Sequence, residues 1–359
     1  MHVLPLILPF FVSFVSCAIL IGLNHWMGIG VDKSTGVQKF HLNATSRLGG
    51  IALMIGLTCT MLCVSDNSST THLFNQFILA SAPVFLAGTL EDVTHKINPS
   101  VRLTLALVSS SLAYLLLDVK VVRTDVWLID WLLQWPVFIY LFTILVISGF
   151  THAINIIDGF NGLASGQILL MLVFLSYLNY TTQQLDLLLV SMSLLCITLG
   201  FFVWNWPLGK IFLGDGGAYL LGFMVVCLGL LLVSRCPQVS PFTPILLGTY
   251  PLIEAIFSMY RRRFIRGHSV TKPDAIHLHS LIFRRVFKGN LDTTSNPQLN
   301  NSKVAFVFWF STLVFGILTC LFYKETGRLL ILFSIYILLY IDLFVRLVRF
   351  KSPRFIFFF

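Results

Sequence analysis

Apolar residues in this chain come in long unbroken runs rather than in the period-two or one-faced patterns of soluble strands and helices. A membrane-spanning helix needs about 20 mostly apolar residues. Eleven such runs occur, at about 3–23, 48–64, 73–90, 101–117, 137–153, 163–180, 185–203, 215–234, 242–260, 303–322 and 328–348. They predict an all-α polytopic integral membrane protein with about eleven transmembrane helices. No internal repeat is visible and no long polar stretch is left over, so residues 1–359 read as a single membrane-embedded domain. The first run has no Lys or Arg before it and no small-residue cleavage site, which favours a retained helix over a signal peptide. Residues 118–136 mix β-branched residues with Trp127, Trp131 and Trp135. A short hairpin or an interfacial segment is expected there, because aromatic residues favour the headgroup level.

Composition agrees with the pattern. The chain is 57% hydrophobic and 11% charged, against about 25% charged in an ordinary soluble domain. Its mean hydropathy is +0.86. A secreted disulfide scaffold, a disordered tail and a soluble nucleic-acid binder are excluded, despite a net charge of +9. The basic excess is informative by position, since cytoplasmic loops collect Lys and Arg. With the N-terminus outside, nineteen of the Lys and Arg residues fall on the inner side and five on the outer. This sets the C-terminus in the cytoplasm. Six of the seven Cys lie in apolar runs without metal-ligand spacing, so they read as packing residues.

Acidic residues gather at helix ends on the predicted cytoplasmic side. Glu91 and Asp92 close the third run, Asp158 lies between the fifth and sixth, and Asp215 opens the eighth. Each alone could be a solvated loop acid or a cap. Together, beside glycine-rich turns (Asp158-Gly159, Asn161-Gly162, and Gly214 with Gly216-Gly217), they suggest one cleft. Glycines let a ligand approach the backbone, and helix N-termini attract anions. Carboxylates beside phosphate-binding turns need a mediating cation, and Mg²⁺ held by one or two carboxylates plus phosphate oxygens meets that need. The basic stretch 261–302 adds His277 and His279. Their i, i+2 spacing, with no Cys near, suits phosphate contact better than zinc. In the first inner loop Lys39, His41 and Arg47 precede Gly49-Gly50.

These motifs, in this order, resemble the polyprenyl-phosphate N-acetylhexosamine-1-phosphate transferases of bacteria. The resemblance runs from Lys39 to Arg285. It rests on Lys39-Phe40-His41 with Arg47-Leu48-Gly49-Gly50, Glu91-Asp92 with Arg102, and Asn155-Ile156-Ile157-Asp158-Gly159 with Asn161-Gly162. Phe212-Leu213-Gly214-Asp215 and Pro273-Asp274 with His277-Leu278-His279 complete it. It implies transfer of a sugar-1-phosphate from a UDP-N-acetylhexosamine to undecaprenyl phosphate, with release of UMP. The enzyme would lie in the bacterial inner membrane and start a cell-surface polysaccharide such as O-antigen. By the same resemblance Asp215 would ligate Mg²⁺, or Mn²⁺ in its place. Glu91, Asp92 and Asp158 would be catalytic; Asp92, with Glu91, would lie near the lipid phosphate. Asn155, Asp158 and Asn161 would line the nucleotide pocket, Phe212 would stack on uracil, and Lys39, His41, His277 and His279 would bind substrate. The active site would form from loops 24–47, 91–100, 154–162, 204–214 and 261–302. The lipid bilayer and both substrates are the expected partners, nucleic acid is not, and a homodimer is compatible with the resemblance.

The chain departs from the family pattern at four places: Glu91 for the first Asp of an Asp-Asp pair, Asn161 for an acid, Ser280 for a third His, and Ser46 for a Pro. Asp92, Asp158 and Asp215 are all kept. Competing classes are a polytopic lipid-linked-sugar transporter and a catalytically inactive homologue. A transporter would want charges inside the spans along a path, and only Glu254 and Asp342 lie within them away from the run ends. The cation asymmetry generates a topology test. Reporter fusions at Phe359 and near Asn296 are expected to read cytoplasmic; an external signal at either would put the histidine segment in the wrong compartment.

Overall fold

A computed structural model describes residues 4–27, 30–32, 45–63, 68–265, 267, 276–287 and 297–350. Lys39, His41, Pro273 and Asp274 lie outside the described residues. The helices are α1 (Leu4–Met27), α2 (Gly49–Cys63), α3 (Ser68–Thr94), α4 (Pro99–Leu116), α5 (Trp127–Leu132), α6 (Pro136–Ile157) and α7 (Leu163–Thr181). They continue with α8 (Leu185–Asn205), α9 (Gly214–Arg235), α10 (Phe242–Leu247), α11 (Thr249–Tyr260), α12 (Leu278–Ile282), α13 (Pro297–Phe322) and α14 (Thr326–Val348). One π-helical turn extends α11 over Arg261–Ile265, and another extends α12 over Phe283–Phe287. The strand pair β1 (Val31–Asp32) and β2 (Thr45–Ser46) is antiparallel.

By length and composition, eight helices among the described residues can cross a membrane: α3, α4, α6, α7, α8, α9, α13 and α14. Ile7–Leu23 and Gly49–Cys63 are shorter apolar helical stretches. The all-α, multi-pass architecture stands. The run expected as a single span over 242–260 is broken at Gly248 into α10 and α11. Pro244 and Pro251 bracket the break, and each lacks the N–H that a continuous helix would use. A Cβ at Gly248 would come within 2.4 Å of the Phe150 ring, so the bend also admits that ring. Residues 118–126 form no strand, which removes the hairpin alternative for this stretch. The interfacial alternative fits: α5 and the residue before α6 hold Trp127, Trp131 and Trp135 outward, with exposures of 82%, 52% and 64%.

At the centre stands α9. Every residue from Gly214 to Val233 is buried, as expected of a helix that is apolar all round. Helices α2, α3, α6 and α7 pack around it. Without a hydrophobic driving force between helices in lipid, small residues that admit close backbone contact do much of the packing. A Cβ at Gly50 of α2 would lie 2.3 Å from Gly217 N, and one at Gly88 of α3 would lie 2.5 Å from the Asp215 carbonyl carbon. Helices α2 and α3 therefore press directly on the first turn of α9. The segment leading into it is also fixed. Phe212 N donates to the Ser46 carbonyl at 2.7 Å, while Gly49 N and Gly50 N donate to the Phe212 and Leu213 carbonyls at 3.1 and 3.0 Å.

Candidate active site

The first turn of α9 exposes backbone N–H groups that have no partner inside the helix. Leu213 at the N-cap supplies no side-chain bond. Asp92, from the end of α3, supplies it instead: Oδ1 accepts from Asp215 N and Oδ2 from Gly216 N, both at 2.9 Å. Gly214 makes this approach possible. Its φ is +72°, and a Cβ there would stand 2.5 Å from Asp92 Oδ2 and 2.1 Å from the Arg47 carbonyl oxygen. Asp92 is buried and sits at the positive end of a helix dipole, where an anion is favoured.

Asp215 follows directly, with its side chain turned to cations. Arg47 Nη2 donates to Oδ1 at 3.0 Å, Asn155 Nδ2 donates to the same oxygen at 3.1 Å, and Arg102 Nη1 donates to Oδ2. Arg47 also reaches Asp92, with Nε 3.2 Å from Oδ1. Two carboxylates and two guanidiniums thus form one neutral cluster drawn from α3, α4, α9 and the Arg47 turn. Asp158, at the C-terminal end of α6, lies beside it. Its carboxylate makes no hydrogen bond among the described residues. Burial pushes its pKa up to about 7; Arg47 opposes that and the Asp215 charge adds to it.

The histidines form a second group next to Asp158. His277, extended at φ −82° and ψ 152°, caps α12, and His279 lies inside that helix. A common extended face is therefore not what aligns them, yet the rings stack at 5.2 Å and 9°. His279 Nδ1 is 2.8 Å from Tyr250 Oη, and His277 Nδ1 is 2.9 Å from Glu254 Oε1. The Phe160 ring meets His279 edge-on at 5.5 Å. Burial and the neighbouring His277 hold His279 down at about 3, with Glu254 opposing, so its ring is uncharged at neutral pH.

Three expected residues have local duties. Glu91 accepts from Ile97 N at 2.7 Å through Oε2 and closes the turn into α4. Asn161 is buried away from the Asp215 group. Its Nδ2 donates to the Pro207 carbonyl at 3.1 Å, and its N–H donates to Asn301 Oδ1 at 2.9 Å. Phe212 is half-buried and aligned by its backbone bonds to Ser46 and Gly49. Arg285 lies over the Phe350 ring, 3.5 Å from its centroid.

Sequence reasoning assigned no role to Arg47, Arg102, Tyr250, Glu254 or Tyr340. Glu254 carried a signal, since an acid inside an apolar run needs a partner. Tyr340 carried none. Among the described residues no three acidic, His or Cys side chains converge as a complete metal site. Asp215 and the unpartnered Asp158 nonetheless suit a Mg²⁺ that takes one or two protein carboxylates and completes its shell from phosphate.

Carboxylates, guanidiniums and imidazoles meeting at one end of a helical membrane bundle suit substrates that carry phosphate, and relatives of known activity agree: the chain is a phosphoglycosyltransferase. Residues 74–233 match the family described as glycosyl transferase family 4. The chain is 26% identical over 287 residues to a Bacillus subtilis (strain 168) protein named a probable undecaprenyl-phosphate N-acetylglucosaminyl 1-phosphate transferase, covering 77% of each chain. It is 25% identical over 286 residues to a phospho-N-acetylmuramoyl-pentapeptide-transferase of Streptococcus pneumoniae (strain CGSP14), covering 77% of this chain and 83% of that one. The corresponding Streptococcus suis (strain 05ZYH33) enzyme is 22% identical over 329 residues, covering 88% and 93%.

The two acids next to Asp215 should respond oppositely to amide substitution. Asp92→Asn leaves one helix N–H facing an NH₂ group, so a loss of about 1–3 kcal/mol and a lower melting temperature in detergent are expected. Asp158 has a raised pKa, so its contribution to stability is present at low pH and is lost as the pH rises through about 7. Asp158→Asn mimics the protonated form and is expected to melt no lower than wild type above that pH. Equal destabilisation by both variants would contradict the capping role of Asp92.

Proposed function

We propose that the protein transfers a sugar-1-phosphate, of the N-acetylhexosamine class, from a UDP-sugar to undecaprenyl phosphate on the cytoplasmic face of the bacterial inner membrane. The products are undecaprenyl-diphospho-sugar and UMP, and the lipid-linked sugar begins a cell-surface polysaccharide. The observation that carries this reading is the cluster at the head of α9, where Asp215 is held by Arg47, Arg102 and Asn155. In phosphoryl transfer positioning and charge neutralisation do most of the catalysis.

An oxygen of the lipid phosphate forms a new bond to the sugar-bearing phosphorus, and the bond from that phosphorus to the oxygen of UMP breaks. The lipid phosphate is already largely ionised at neutral pH, so no strong base is required. Arg47 and Arg102 can turn from Asp215 to the diphosphate as its charge arrives. Asn155 holds the orientation of Asp215, and Asp92 holds the helix from which Asp215 projects. Asp215, with Asp158, would hold Mg²⁺, which when bound supplies charge neutralisation at the diphosphate.

Purified protein incubated with undecaprenyl phosphate and a panel of UDP-sugars is expected to release UMP with at least one of them. Asp215→Asn keeps the size of the side chain and removes its charge, so it is expected to insert normally and to lose Mg²⁺-dependent turnover. Retention of more than about a tenth of the wild-type rate, a cost below ~1.4 kcal/mol, would exclude Asp215 as the principal metal ligand.

A further inference from the structure

The two imidazoles beside the carboxylate centre are backed by different groups. Tyr250 and Glu254 lie four residues apart, on one face of α11. Tyr250 Oη meets His279 Nδ1 at 2.8 Å and Glu254 Oε1 meets His277 Nδ1 at 2.9 Å. Both Nδ1 atoms therefore point at α11. With each Nδ1 bonded to α11, the Nε2 on the far side of each ring points away from it. His279 Nε2 faces the Asp158–Gly159 turn, where a Cβ at Gly159 would stand 3.5 Å from it, and the His277 ring lies stacked beside it.

Glu254 is fully buried, and its second oxygen is fully engaged. Oε2 accepts from Leu278 N at 3.1 Å and from Tyr340 Oη, on α14, at 2.9 Å. Every group around the carboxylate is a donor, as a buried charge requires. A carboxylate accepts only, so His277 Nδ1 carries a proton. In a neutral imidazole the opposite nitrogen is then an acceptor.

We propose that Glu254 is a positioning residue that fixes His277 as its Nδ1–H tautomer, so that an accepting Nε2 faces the cleft and takes a hydroxyl or N–H donor of the sugar nucleotide. The second half rests on the sugar-nucleotide reading above; the tautomer does not. An ionised phosphate offers only acceptors, so His277 reads the sugar or base rather than clamping the diphosphate. The uncharged His279 beside it spares His277 a cationic neighbour. Helix α14 enters the site through Tyr340, which locks the carboxylate.

Glu254→Gln inverts the arrangement without changing its shape. Leu278 N–H and Tyr340 O–H both need an acceptor, so the amide oxygen takes the place of Oε2 and the NH₂ faces His277 Nδ1. Nδ1 must then accept, and the proton moves to Nε2. Protein labelled with ¹⁵N-histidine in lipid nanodiscs reads this directly, the His277 signals being those lost in His277→Ala. At neutral pH the wild type is expected to show Nδ1–H and Glu254→Gln to show Nε2–H. A wild-type His277 that is protonated on both nitrogens, or on Nε2 alone, overturns the proposal, as does an unchanged tautomer in Glu254→Gln.

Kinetics test the second half. Glu254→Gln is expected to raise KM for the UDP-sugar about tenfold or more with a smaller change in kcat, because a contact to the sugar or base is made in the ground state as well as in the transition state. His277→Ala should show a similarly raised KM, and the double variant should rise no further. Inverted spectra with wild-type kcat and KM overturn the acceptor role. Absence of UMP release by the wild type with every UDP-sugar removes the substrate half, and the spectra still decide the tautomer.

Discussion

The structure depends on one contact: the carboxylate of Asp92 against the first two free amides of α9. That helix is buried along twenty residues, so its N-terminus cannot draw on solvent for the missing hydrogen bonds. Asp92 answers with two charge-assisted bonds, each contributing about 1.5–3 kcal/mol. With the amides of residues 215 and 216 pinned, the Asp215 side chain meets Arg47 and Arg102. Gly50, Gly88 and Gly214 serve the same end. They remove the side chains that would hold α2, α3 and the Arg47 turn away from the head of α9.

Electrostatic balance explains why such a centre can be stable before substrate arrives and reactive afterwards. Asp92 and Asp215 are matched by Arg47 and Arg102, so the cluster carries little net charge. Asp158 adds a third carboxylate with no hydrogen bond among the described residues, its pKa pushed up to about 7 by burial. Under the proposed function, a diphosphate would bring negative charge for the two guanidiniums to meet, and their movement would free the carboxylates for a cation. Binding of the anion and of the cation would then be coupled through the same side chains, and such coupling is reciprocal.

Much of this was legible in the chain. The apolar runs located the helices because lipid enforces length and composition so strictly. The convergence of Asp92, Asp158 and Asp215 followed from their shared position at helix ends. What sequence could not show was the division of labour. Asp92 and Asp215 look alike in the chain, yet one spends both oxygens on backbone and the other faces cations. Asn161 sits within a motif beside Asp158, but its amide is committed to Pro207, a partner 46 residues away. The break at Gly248 was hidden because a proline-bracketed glycine in an apolar run still has the composition of a span. Tyr340 contributes through a contact with Glu254 across 86 residues, and no local pattern encodes it.

The central claim is that the phosphate next to the sugar travels with it. A UDP-sugar carrying ³²P only in that phosphate separates this from plain sugar transfer. Incubated with the purified protein and undecaprenyl phosphate, the label is expected in the lipid fraction, with unlabelled UMP in the aqueous phase. Label recovered in UDP, with an unlabelled glycolipid, would contradict the account.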